Sequence, residues 1–343
     1  MKRLAFKLQP KSAFHFGREG LEQHSSAETF PSDSLFSAIV ATLAQTNPQA
    51  VNGFIGAFPP YSNAPKLRLS SVFPLVGDLP LFPKPRVAIE KASGKNDGSN
   101  SPDFDESGKK FKQIRYVSGE ILKNILNHAP MNDLLDPKQA GYFLQGDEIW
   151  LSRNESKSLP PLESDKVWDV DLAPRVTIDR ITNESNVYQT GRTLFSEGCG
   201  LWFMAEVSED FEVTLQSIMS QLGDSGIGGE RSSGYGGFEC SEIAVPQLPY
   251  SGGKYVMLLS RYNPTAKELQ ENLLTGEQCA YEIVDVGGWS GPYKRPRVRM
   301  LEVGSIVGGS NLSGQLVDVT PSAHNRHKIY RSGIALTISA GGE

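Results

Sequence analysis

Six of the twelve residues from Gly226 to Gly237 are glycine, and the same stretch, GIGGERSSGYGG, holds Arg231, Ser232, Ser233 and Tyr235. Glycines let a backbone come close to a bulky ligand, while arginine, serine hydroxyls and free N–H groups are the donors that meet phosphate oxygens. Tyr235 adds a face on which a base can stack. Spacing excludes two phosphate motifs. A dinucleotide fingerprint, GxGxxG, needs a glycine where Arg231 stands and a strand before it, whereas here a helix pattern precedes and a strand follows. A P-loop matches at Gly229 and Gly234, but Tyr235 and Gly236 replace the lysine and hydroxyl residue that reach phosphate and magnesium. What remains is a polyanion-binding loop, or a wide turn whose glycines only permit positive φ. Glycines this dense around an arginine favour the first.

His15, followed by Phe16 and Gly17, is the other residue suited to RNA chemistry. A histidine can move a proton at a ribose 2′-OH, which would make the chain an endoribonuclease, or it can stack and hydrogen-bond to RNA. No second proton-transfer group adjoins it, so binding is the expected role and no catalytic residue is assigned. Asp33, after Pro31-Ser32 and before an apolar stripe, reads as a helix cap or first-turn acid. Tyr293–Arg299 (YKRPRVR) carries four basic residues beside Trp289, so Trp289, Lys294 and Arg295 are a possible secondary RNA or protein contact. A solvated basic edge strand is the alternative. His324 and His327 have HxxH spacing without a cysteine or carboxylate partner, and no metal or cofactor is expected.

These residues need a scaffold. RLAFKLQ (3–9) alternates like a strand, and PSDSLFSAIVATLAQ places Leu35, Phe36, Ile39, Val40 and Leu43 on one helical stripe. Leu67–Val76 reads as a second strand. From Gly77 to about Lys112 the sequence turns to Pro, Gly, Ser, Asn and Asp, and a mobile loop is expected there. SGEILKNILNHA and DEIWLS follow as a small insertion with its own apolar patch. Residues 175–191 form a hairpin, 192–207 a long strand, FEVTLQSIMSQL a helix, and 238–243 a strand after the glycine loop. Strand, helix, strand, strand, helix, strand is the ferredoxin-like pattern. A second α+β unit begins after the 246–253 linker, with KYVMLLSRY, the helix NPTAKELQENLLTG and several strands.

The 343 residues carry 34 Lys+Arg and 39 Asp+Glu, for a net charge of -5. That average alone advertises no nucleic acid, yet a few arginines converging on one groove suffice. Cys199, Cys240 and Cys279 show no CxxC pair, which fits a reduced cytoplasmic setting. The N-terminal apolar run breaks at Lys7 and Pro10, and no apolar run is long enough for a membrane.

GxGGxxxxGxGxF between the last helix and last strand of a ferredoxin-like unit resembles the signature loop of the RAMP superfamily of CRISPR RNA-binding proteins. AFHFG with PSDSLFSAI, then PRVTIDRIT, YVMLLSRYNPT, GGWSGPYKRPRVRMLEVGSIV, GQLVDVTP and IYRSGIALTI resemble, in order, the fourth-subunit family of the type III-A (Csm) effector complexes. The resemblance runs from about residue 4 to 338, the insertion at 77–170 excepted. It implies an α+β fold of two ferredoxin-like (RRM-like) RAMP domains, at 1–245 and 250–343. The first carries the insertion and a β-hairpin thumb at about 175–197. It further implies a non-catalytic subunit that binds the 5′ tag of the CRISPR RNA, meets target RNA only indirectly, and anchors the large polymerase-like subunit and the first backbone subunit. Carried to this chain, Gly226, Gly228, Gly229, Arg231, Ser232, Ser233, Gly234, Tyr235 and Gly236 would hold the tag. They would act with His15, Phe16, Gly17 and Ser34, and with Arg175, Thr177, Ile178, Arg180 and Arg192 of the thumb.

Overall fold

A computed structural model describes residues 1–17, 24–87, 110–127, 141–249, 253–271 and 273–341. Alternation in the first strand, β1 (Lys2–Pro10), puts Leu4, Phe6 and Leu8 on a buried face. Helices α1 (Ser32–Thr46) and α2 (Ala50–Ile55) follow, and then strands β2 (Leu67–Leu69), β3 (Phe73–Val76), β4 (Leu79–Pro80) and β5 (Phe82–Pro83). The insertion adds β6 (Tyr116–Val117), α3 (Gly119–Leu126), β7 (Tyr142–Leu144) and β8 (Ile149–Leu151). The hairpin is β9 (Trp168–Ile178) and β10 (Ser185–Phe195), succeeded by β11 (Cys199–Val207), α4 (Glu212–Ser225) and β12 (Phe238–Ile243).

The main sheet runs β12-β1-β11-β3-β4, with β2 also paired to β11 and every pairing antiparallel. In register, Phe6 faces Phe203, and their rings stack at 5.0 Å. Because successive side chains point to opposite faces, Leu201, Phe203 and Ala205 meet Leu35, Phe36 and Ile39 of α1 and Leu215, Ile218 and Met219 of α4. On the opposite face Trp202 and Met204 pack with Ile121 and Leu122 of the insertion and with Met257, Leu259 and Ile338. The last three belong to the C-terminal unit, so both halves of the chain share this core.

The C-terminal unit comprises β13 (Tyr255–Leu258), α5 (Ala266–Gln270), β14 (Ile283–Val286), β15 (Trp289–Ser290), β16 (Tyr293–Lys294), β17 (Val298–Leu301), β18 (Ile306–Gly308), β19 (Leu316–Asp318), β20 (Tyr330–Ser332) and β21 (Thr337–Ala340). A three-stranded sheet, β18-β13-β21, abuts the shared core, and β14-β17, β15-β16 and β19-β20 are two-stranded ribbons. The overall class is α+β. α5 is shorter than NPTAKELQENLLTG suggests. Thr265 and Glu268 close a capping box at its start, and the Glu268 carboxylate also accepts from Ser313 N–H at 2.7 Å, tying this short helix to a distant loop.

Three further differences have physical causes. Residues 79–83, expected to begin the mobile loop, form β4 and β5 because Leu81 and Phe82 are buried; residues 88–109 of that expectation lie outside the described residues. The strand expected over 192–207 breaks after Phe195, where Gly198 turns the chain at φ +75°. Asp33 is not a helix cap. The residue before α1 is Pro31, and no side chain caps that end. Asp33 is fully buried instead, paired with Arg331 and, at 3.5 Å, with Arg261. The Ser32 hydroxyl accepts from the Arg261 N–H at 2.9 Å, so the start of α1 is a joint to the C-terminal unit.

Removing the Asp33 carboxylate would leave two guanidinium groups facing each other with little access to water. Asp33→Ala is expected to cost about 3–5 kcal/mol, read as a lower urea midpoint; an unchanged midpoint would show that the pair is not a joint. Burial pushes the Cys199 thiol up to about 11 and the Cys240 thiol up to about 12. Both stay protonated at pH 8, so iodoacetamide should modify them far more slowly in the native protein than after unfolding.

Candidate nucleic-acid interface

The glycine loop leaves α4 through Gly226 at φ +78° and is laced to the residues just after β1. Gly236 N–H donates to Ala13 O at 2.8 Å, Gly229 N–H to His15 O at 2.8 Å, and Lys11 N–H to Gly237 O at 2.9 Å. At Gly228 (φ +89°) a Cβ would lie 2.6 Å from His15 O, and at Gly236 (φ +83°) 2.2 Å from Ile227 O. Packing alone therefore requires these two glycines. Gly234 (φ +84°) instead faces open space, next to the exposed turn of Arg231, Ser232 and Ser233.

Much of the loop backbone is already bonded within the protein. Ser233 and Tyr235 N–H groups donate to Glu230 O, and Gly234 N–H donates to Arg231 O. The loop thus offers a ligand mainly the side chains of its tip, fewer backbone donors than its glycine content suggests.

His15 joins the loop to the hairpin. Its Nδ1 lies 2.6 Å from Gly191 O on β10, and a Cβ on Gly229 would lie 2.7 Å from its ring. Nδ1 donates to that carbonyl, leaving Nε2 as the nitrogen that can meet a ligand. On the other side of β10, a Cβ on Gly191 would strike His24 O at 2.5 Å. A second clasp lies outward along the hairpin. The Arg175 guanidinium covers the Tyr235 ring at 4.7 Å. Loop and hairpin base therefore meet through His15, Arg175, Gly229 and Tyr235.

The other expected site residues divide by burial and by partner. Arg192 is held by both Asp171 oxygens at 2.6 and 2.9 Å; this bond keeps the Asp171 carboxyl below its usual range, so much of the Arg192 charge is already compensated. Arg180 is exposed in the hairpin turn beside Ile178 and Ile181, which are 65% and 92% exposed and form an apolar tip. Thr177 Oγ1 donates to Asn186 O across the hairpin at 3.3 Å. The Phe16 ring is buried between Phe14 and Phe30, so it supports the loop from beneath, while Gly17 is exposed. Ser34 sits half-buried in the first turn of α1. Trp289 and Lys294 face each other across the β15-β16 ribbon, and Arg295 N–H donates to Gly288 O beside it; they form a patch separate from the loop and hairpin.

Sequence reasoning missed the segment that braces the hairpin. Ser26 Oγ lies 2.8 Å from Thr193 Oγ1, both buried, and Ala27 N–H donates to Phe16 O at 2.7 Å. Nothing in SSAETF marks a buried polar network, because serine and threonine are equally at home in exposed loops. Among the described residues there is no group of three His, Cys, Asp or Glu that could hold a metal, and no helix is long and apolar enough to cross a membrane.

A family model described as the CRISPR Csm4 C-terminal domain matches residues 251–340. The chain is 27% identical over 312 residues to the CRISPR system Cms protein Csm4 of Thermococcus onnurineus, covering 89% of this chain and 87% of that protein. To the Csm4 protein of Streptococcus thermophilus it is 25% identical over 317 residues, covering 90% and 89%. A chain from a crystal structure of a Csm3-Csm4 subcomplex of the type III-A interference complex has the same fold, with a TM-score of 0.66 and 18% identity, covering 98% of each chain. A chain from a Csm1-Csm4 cassette with cA4 matches with a TM-score of 0.59 and 19% identity, covering 99% of this chain and 98% of that one.

The loop glycines should respond unequally to a methyl group. Gly234→Ala meets open space and pays only for its left-handed backbone, about 1–2 kcal/mol. Gly236→Ala adds a collision with Ile227 O and should cost clearly more. Urea unfolding of the two variants checks the order, and equal midpoints would contradict the packing described.

Proposed function

The chain belongs to the Csm4 family of CRISPR proteins, and on that basis we propose that it is the non-catalytic RNA-binding subunit of a type III-A (Csm) effector complex in antiviral defence. It binds the repeat-derived 5′ tag of the CRISPR RNA. The observation that carries this reading is the clasp of His15 on Gly191 with the stack of Arg175 on Tyr235, which fuses the glycine loop and the hairpin base into one surface. Above that surface stand two cations in different settings. Arg231 offers charge at the loop tip, and Arg180 sits beside exposed Ile178 and Ile181, a combination suited to wedging between nucleotides.

The Nδ1 bond to the Gly191 carbonyl fixes the His15 ring and leaves Nε2 to hold a nucleotide in place. The chain also anchors the large polymerase-like subunit and the first backbone subunit. Structures in which chains of this fold accompany Csm1 in one case and Csm3 in another support that placement. Target RNA meets this subunit only through the assembled complex, and the setting is cytoplasmic.

Binding through few cations makes affinity salt-dependent with a small slope. In the assembled complex, Arg180→Ala and Arg231→Ala should each weaken retention of the CRISPR RNA and lower the slope of log K against log salt by about 0.7. Salt titrations by filter binding measure both effects. Retention unaltered by both changes at physiological salt would exclude the loop and hairpin as the tag site.

A further inference from the structure

A cavity of about 710 Å³ opens where the main sheet, the insertion and the C-terminal unit meet. Among the described residues five cations line it, Lys84, Arg86, Lys112, Arg115 and Arg261, against one carboxylate, that of Glu302. Three of the five have carboxylate partners. Arg86 pairs with Glu282, Arg115 with Glu28 and with Glu148 at 3.0 Å, and Arg261 with Asp33 and with Glu302 at 3.0 Å. Lys84 differs from them. Its Nζ donates to Phe111 O at 2.5 Å and lies 4.4 Å from the Phe111 ring centre, and it pairs with no carboxylate among the described residues. Burial, reinforced by Arg86, pushes its ammonium down to about 8. Phe73, Pro83, Pro85, Val87 and Phe111 supply the apolar part of the lining, with the Lys84 ammonium over the Phe111 ring itself. An ammonium with no carboxylate partner among the described residues, set beside apolar side chains, matches a nucleotide, whose phosphate supplies the counter-charge and whose base covers the apolar lining.

One segment of chain connects the cavity to the loop and the hairpin base. The segment from His24 to Pro31 braces β10 at Gly191, bonds Phe16 through Ala27, packs Phe30 on Phe16 with ring centres 4.9 Å apart, and then lines the cavity with Thr29 and Pro31. One continuous strip of chain thus runs from the hairpin base, beneath the loop, to the cavity mouth.

We propose that this cavity is a nucleotide-phosphate site that takes one nucleotide of the RNA held on the loop and hairpin, an inference that rests on the RNA-binding reading above. A free nucleotide presents the same chemistry, so the test has two arms. The full chain is prepared as wild type, Lys84→Met, Lys112→Ala and Arg231→Ala. Each protein is titrated with a 3′-labelled CRISPR RNA fragment that begins at the 5′ tag and, separately, with AMP and with ATP. Lys84→Met keeps the side-chain stem on Phe111 and should weaken RNA binding about tenfold. Lys112→Ala removes an exposed cation at the rim and should weaken it about threefold, which keeps the site testable if Lys84→Met does not fold. Lys84→Arg, measured alongside, should restore binding.

Loss of AMP or ATP binding in Lys84→Met with RNA binding unchanged would overturn the assignment to RNA in favour of a free nucleotide. If the Lys84 and Lys112 changes leave both arms unchanged while Arg231→Ala weakens RNA binding, the cavity inference falls and the loop reading stands. The converse, RNA binding weakened by the Lys84 change and indifferent to Arg231→Ala, would support the cavity and remove the loop tip from the tag site.

Discussion

Strand β11 has almost no solvent face: eight of its nine residues are buried, Leu201 and Phe203 on one side and Trp202 and Met204 on the other. An antiparallel strand of this kind needs cover on both faces. Helices α1 and α4 supply one cover; the insertion and the C-terminal sheet supply the other. The position of the candidate site follows from this arrangement. The hairpin rises immediately before β11, the glycine loop returns from α4 to β12, and β1, flanked by β11 and β12, delivers residues 11–17 between them. Any weakening of the double cover would loosen the ends of all three at once.

The electrostatics are arranged with similar economy. Several of the arginines already have carboxylate partners. Asp33 gathers Arg331 and Arg261 at the joint between the units, Asp171 holds Arg192 at the hairpin base, and the buried Glu28 holds the exposed Arg115. Charge that is already compensated shapes the protein more than it attracts RNA. At the loop, the hairpin tip and the cavity, Arg231, Arg180, Lys84 and Lys112 make no ion pair among the described residues. An acidic chain of net charge -5 can therefore bind a polyanion along a narrow track without being a general nucleic-acid binder.

The parts of this organisation that depend on local pattern were legible in the sequence. Alternation marked β1, the Leu35–Leu43 stripe marked α1, and glycine density marked the loop. What sequence could not supply was the partner of each polar group. Asp33 looks like a cap because a short acid after Pro31 usually serves as one; its arginines arrive from about 230 and 300 residues further along the chain. Arg192 looks free for the same reason. Phe16 reads as a site residue from its place beside His15, but its ring belongs to the core. The glycines show the limit most clearly, since density alone does not separate Gly228 and Gly236, required by packing, from Gly234, which is open to solvent.

The central claim is that the glycine loop and the hairpin base form one RNA-binding surface. A density map of the chain assembled with its partner subunits and CRISPR RNA tests it most directly. The account predicts tag phosphates within hydrogen-bonding reach of the Arg231–Ser233 turn and a nucleotide facing Nε2 of His15, with Ile178 and Ile181 inserted where the tag ends. A tag that instead follows the Trp289–Arg299 ribbon, leaving the loop and hairpin bare, would contradict it.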